Sequence, residues 1–496
     1  MLPVSFTDTY KNWRNRARKF SLESIVSGAV EVVCEPSSDP VAELATAPWL
    51  TLLMVKWACQ DRHSARAHMP AISRPQFNDL RQRLWDFPER LDTGGTGTMP
   101  LELFMRQLIR PQLGFQRALT KSFVREAALL GEQPEDHPLR RLFVEKTGFD
   151  VLAFIDLSLA TSTRILKGER TLPAVFLNSL HPIHAPEVVS AFQRSIARNF
   201  SDLVTFCRSL PDANRKVASE FFEFPILTRY PFFENGNTMI CWHPAVFYRG
   251  LESFVHSVLS EAGPKYIEPF SRLFEQHVLA EAGKVPAQLF GEDALRGLIS
   301  TETQVPDGLL SFPGCNVFIE AKAGLYRESV MTVGNSDVFA HKTRAIRKAV
   351  GQAWATSLSL REQRRAPPQV LEADADYLLI VTNKELGAGR GTALASMYPK
   401  GTLDYPNADA ERLLPRERVY VLSIDDFERL TNATAGGYIE LPAFLASCVH
   451  DDTEPRTARL LFEQHLNERS VPARFSHTIE KAIDASFLRL RGALGG

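Results

Sequence analysis

Residues 101–130 and 187–210 carry apolar side chains at intervals of three and four, with Arg and Lys between them. That is the pattern of helices that bury one stripe, and residues 1 to about 220 read mostly as helix. The pattern changes at Phe221. Apolar runs at 226–233 and 238–242 flank Asn235 and Gly236, a pair that tolerates positive φ and predicts a β-hairpin. Helices are predicted over about 244–262 and 264–282, the second with Pro264 in its first turn, where a missing N–H costs nothing. β-rich runs follow at 304–311, at 316–321 after Pro313 and Gly314, at 377–382 (YLLIVT) and at 419–424 (VYVLSI). A single long helix is predicted from about 337 to 363, stopping before Pro367 and Pro368. Helices alternating with buried strands predict an α/β sheet domain after a mostly helical N-terminal one.

Composition narrows this picture. With 44% hydrophobic and 23% charged residues in 496, the chain is globular rather than disordered. A net charge of -1 excludes a uniformly basic nucleic-acid coat but leaves room for local basic patches. The six cysteines form no C-x-x-C pair, which reads as free thiols in a reducing compartment. The N-terminal residues lack the apolar core of a secretory signal. The longest uncharged apolar run, 44–55, contains Pro48 and is too short to span a bilayer. A cytoplasmic protein with no membrane partner is expected.

The stretch 304–322, QVPDGLLSFPGCNVFIEAK, carries the chemistry. It puts Asp307 on one short strand and Glu320 and Lys322 on the next. Residues i and i+2 of a strand share a face, so Glu320 and Lys322 point the same way and Asp307 can face them. Two carboxylates and an ammonium then converge at one end of a hairpin. Phosphodiester hydrolysis needs such a set. Carboxylates hold Mg²⁺ or Mn²⁺ with water and phosphate completing the shell, and a lysine beside the metal orients or deprotonates water or stabilises the transition state. Glu320-Ala321-Lys322 is the one acid-x-Lys tripeptide in the chain.

In these residues, and in the order of the flanking elements, the chain resembles the PD-(D/E)XK nuclease superfamily over about residues 264–430. Pro306 and Asp307 match the first half of its motif; Glu320, Ala321 and Lys322 match the second. The resemblance implies a restriction-endonuclease-like α/β domain with a central mixed sheet, and a Mg²⁺-dependent (or Mn²⁺-dependent) endonuclease usually acting on DNA. It implies Asp307, Glu320 and Ala321 as metal ligands. It also implies Glu275 as an added acid on the preceding helix and Gln352 on the following one, with Asp307, Glu320 and Lys322 as the catalytic core. Some members carry Tyr four residues beyond that Gln, where this chain has Thr356. Large proteins of this plan often serve restriction or antiphage defence.

Segment 341–365 holds seven Lys and Arg against one Glu. At 100° per residue, His341, Lys348 and Gln352 fall on one stripe of the expected helix. His341, Lys342, Arg344 and Lys348 are therefore the candidate nucleic-acid contacts. The expected organisation is a helical recognition or regulatory domain at 1–220, a hairpin and connecting helix at 221–263, the nuclease domain at 264–450 and a helical segment at 451–496. The expected partners are nucleic acid, with DNA first, and a protein trigger or regulator engaging the N-terminal half. Two other readings stay open: a catalytically silent nuclease fold that binds nucleic acid or protein, and an RNase on the same fold.

Overall fold

The computed structural model describes residues 6–35, 47–63, 68–87, 99–116, 122–214, 216–299, 304–324 and 328–494. The chain forms two compact units. One comprises Met1–Thr96, Gln107–Ala262 and Thr478–Gly496; the other comprises Gly97–Arg106 and Gly263–His477. Among the described residues no helix is long and apolar enough to cross a membrane.

The first unit is helical around a small mixed sheet. Its strands are β1 (Thr171–Pro173), β2 (Ala197–Arg198), β3 (Phe232–Asn235) and β4 (Thr238–Cys241), in the order β1-β4-β3-β2. The β3–β4 hairpin turns at Gly236 and Asn237, one residue later than the expected Asn235 and Gly236, because Asn235 still pairs with Thr238; Gly236 takes the positive φ, 58°. Its approach differs from the expected strand: Ile226–Arg229 is a 3₁₀ turn between Pro225 and Pro231, whose fixed φ values suit a turn. The hairpin belongs fully to this unit. Phe221, Leu227, Phe233, Trp242 and Val246 share a core with Trp13, Trp57 and Phe87. The helix His477–Leu494 joins it too, because the buried Asp156 takes a two-pronged bond from Arg489 (2.9 and 2.7 Å).

The second unit is built on β5 (Gln288–Gly291), β6 (Gly308–Phe312), β7 (Cys315–Lys322), β8 (Ala375–Thr382) and β9 (Val419–Ser423), hydrogen-bonded in sequence order. β5, β6 and β7 pair antiparallel; β7, β8 and β9 pair parallel. The β6–β7 turn falls at Pro313 and Gly314, with Gly314 at a φ of 73°, where a Cβ would strain the backbone. A parallel pair needs a crossover, and Arg344–Gln363 supplies it between β7 and β8. Leu309, Phe318, Leu378, Ile380, Val419 and Val421 form one buried sheet face with Ile346, Ala349, Val350, Ala353 and Trp354 of that helix. The helix Pro264–Ala282 also packs on β7. Burial on both faces explains the unbroken apolar runs of β8 and β9.

The single helix expected over 337–363 is two, Ser336–Lys342 and Arg344–Gln363. Thr343 breaks it. Its backbone leaves the helical region (φ −103°, ψ 23°), and its buried hydroxyl meets the Phe339 carbonyl at 2.6 Å and the Tyr398 hydroxyl at 2.9 Å. The change of direction lets Phe339 and Ile346 both enter the core.

Candidate active site

Asp307 sits in the bend just before β6, and its carboxylate accepts the Ala321 N–H at 2.6 Å. Gly308 pairs with Ile319, so one step on Asp307 lies opposite Glu320. Strand alternation puts Glu320 and Lys322 on the face of Phe318. There the Lys322 ammonium donates to Glu320 Oε1. Glu320 is 1% exposed, and its Oε2 takes no hydrogen bond from the protein. The sequence-expected trio thus stands where β6 begins and β7 ends.

The electrostatics follow from this packing. Burial, reinforced by the Asp307 charge, pushes Glu320 up to about 7, against the pull of Lys322. Asp307 is raised by burial, offset by the Ala321 N–H and Lys322. Glu275, half-buried on the helix Pro264–Ala282, is raised by burial and then by the charges of Asp307 and Glu292. Glu275 therefore shares the field of the trio. Gln352 Nε2 donates to the Val305 carbonyl at 3.4 Å, a long bond to the segment that leads into Asp307.

The four candidate nucleic-acid contacts are all exposed. The expected stripe of His341, Lys348 and Gln352 is broken, because His341 lies on a different helix from the other two. His341 and Lys342 end one helix, whereas Arg344 and Lys348 begin the next, beyond the break at Thr343. Lys348 and Gln352 remain one turn apart on a shared face. Arg361, counted in the basic segment, is spent elsewhere: its guanidinium bonds both oxygens of buried Asp376 at 2.7 Å.

Glu292 escaped sequence reading. It opens the helix Glu292–Leu298 directly after β5, a four-residue strand (QLFG) too short and too irregularly buried to show alternation. The available signal was an acid straight after Leu-Phe-Gly. Among the described residues no three His, Cys, Asp or Glu side chains are grouped so as to hold a metal ion. Compared with protein-family models, curated proteins and solved structures, the chain shows no significant match.

Proposed function

We propose that the second unit is a metal-dependent endonuclease of the PD-(D/E)XK kind, cutting phosphodiester bonds in DNA. The observation that carries this reading is the convergence of Asp307, Glu320 and Lys322 at adjacent strand ends, with the buried Glu320 Oε2 left without a protein donor. The element order supports it: a helix bearing Glu275, an antiparallel three-stranded part, a crossover helix bearing Gln352, then parallel strands.

The residues fit Mg²⁺ or Mn²⁺. An orphaned buried carboxylate oxygen is costly unless something pairs with it, and hard oxygens are what these cations take. Mg²⁺ is commonly held by one or two carboxylates with several waters, so Asp307, Glu320 and the main chain of Ala321 suffice without a three-acid cluster. When bound, the cation supplies charge neutralisation at phosphoryl oxygens and acidifies a water.

The chain's own groups do the rest. Lys322, 22% exposed at its side chain, is oriented by Glu320 and brings a positive charge to the phosphoryl group and the attacking water. Gln352 positions the segment that leads into Asp307. Arg344 and Lys348, with His341 and Lys342 beyond the break, grip flanking phosphates. The first unit serves target recognition or restraint. The test is to incubate the full chain with circular and linear duplex DNA, single-stranded DNA and tRNA, in Mg²⁺, Mn²⁺ or EDTA. Cation-dependent cutting of DNA is expected. Cutting of tRNA alone would move the reading to an RNase, and no cutting of any substrate would overturn it.

A further inference from the structure

The strand register extends the site by one residue. Gly291 of β5 pairs with Gly308 of β6, and Gly308 pairs with Ile319 of β7. One step past these pairs stand Glu292, Asp307 and Glu320, in a row across three strand ends. Gly291 is still extended (φ −76°, ψ 175°), so the row holds up to the point where the helix begins. With strands about 4.8 Å apart, Glu292 lies roughly 5 Å from Asp307 and roughly 10 Å from Glu320 along the backbone. Glu292 also adds to the charge felt by both Asp307 and Glu275.

Glu292 is not idle in the absence of a ligand. Arg296, one turn on, donates to its Oε1 at 2.5 Å, and both side chains are open to solvent (37% and 55% exposed). The row is therefore an acidic set with one member clasped by a cation of its own. Its buried end, Glu320 Oε2, has no protein donor, which points to a positive ligand rather than to a solvated acidic edge.

We propose that Glu292 is a further carboxylate of the cation site. It is a positioning residue that strengthens divalent-cation binding through its charge, and Arg296 opposes it by neutralising that charge. This rests on the reading of Asp307 and Glu320 as the ligands. Glu292 lies outside direct coordination, in keeping with the lack of a three-acid group among the described residues.

The test is calorimetric titration of the full chain with Mn²⁺ and no nucleic acid, with melting curves as the folding control. Glu292→Gln is expected to weaken Mn²⁺ binding about fivefold, the factor for a unit charge acting on a divalent ion at ~8 Å in a near-aqueous dielectric. Arg296→Gln is expected to tighten it by a similar factor. The opposite signs matter, because both variants break the same Glu292–Arg296 pair, and a merely structural role would move both the same way. Equal shifts in one direction, or no shift in either, would overturn the proposal, provided that Asp307→Asn and Glu320→Gln abolish binding. If those two variants bind Mn²⁺ like the unaltered chain, the reading of the site itself fails.

Discussion

Asp307 Oδ2 accepts the main-chain N–H of Ala321 at 2.6 Å, so the carboxylate proposed to hold the cation also laces the bend before β6 to the end of β7. The residue therefore has two separable jobs. Asp307→Ala removes the acceptor and leaves a partly buried N–H unpaired, a cost of about 1–3 kcal/mol. Asp307→Asn keeps an acceptor oxygen and should melt close to the unaltered protein. Both should lose cation binding. Thermal melts beside Mn²⁺ calorimetry check this, and an Ala variant as stable as the Asn variant would show that the bond carries no weight.

Glu320 gives a pH dependence of defined sign. Its carboxyl rises from 4.5 to about 7 on folding. Between those values the folded chain holds more protons than the unfolded one, so stability falls as pH rises through the window. Above pH 7 the full cost of the buried charge is present. Glu320→Gln removes it. In EDTA at pH 8 the variant should be more stable by up to about 3 kcal/mol, and the difference should vanish below about pH 4.5. An offset that is the same at both pH values would contradict the burial argument.

The basic helix start should govern affinity. Lys348→Ala is expected to lower the slope of log binding constant against log salt by about one unit. Arg361 supplies the contrast. Its partner Asp376 is fully buried, so Arg361→Met should destabilise the fold by about 3–5 kcal/mol and leave the salt slope alone. Fluorescence anisotropy over a salt series, with melts in parallel, separates the two residues.

Much of the second unit was legible because its signals are local. Pro264 marks a helix start, Pro313 and Gly314 mark a hairpin, and YLLIVT, short, apolar and rich in Ile, Val and Tyr, reads as a buried strand. Asp307, Glu320 and Lys322 could be placed together because strand alternation and one turn fix them. What escaped depends on partners distant in sequence. β5 exists because β6 pairs with it, and with it came Glu292. Thr343 breaks a helix that its neighbours favour, and its hydroxyl is hydrogen-bonded to that of Tyr398, 55 residues away. The position near 221 lies inside the first unit for the same reason, since Phe221 is buried among Trp57 and Phe87.

The division of the chain yields a prediction of its own. Leu103 is fully buried in the core of the second unit, and Arg106 donates to the Leu386 carbonyl at 2.7 Å and the Val330 carbonyl at 3.0 Å. Leu103→Ala should cost about 2–5 kcal/mol. A fragment starting at 221 loses this segment and strips Phe221, Leu227 and Phe233 of their core, so it is expected to be insoluble. A soluble, cooperatively melting 221–496 fragment would contradict the assignment of these residues to shared cores.

Asp307, Glu320 and Lys322 are proposed to form a cation-dependent phosphodiesterase centre. The most direct measurement is the rate of plasmid cleavage in Mg²⁺ by the full chain and by folded Asp307→Asn, Glu320→Gln and Lys322→Met variants, each repeated in EDTA. Cleavage by the unaltered chain, abolished by EDTA and reduced at least about 10²-fold in every variant, is the expected result. Cleavage that persists in EDTA, or at full rate in Asp307→Asn and Glu320→Gln, would contradict it.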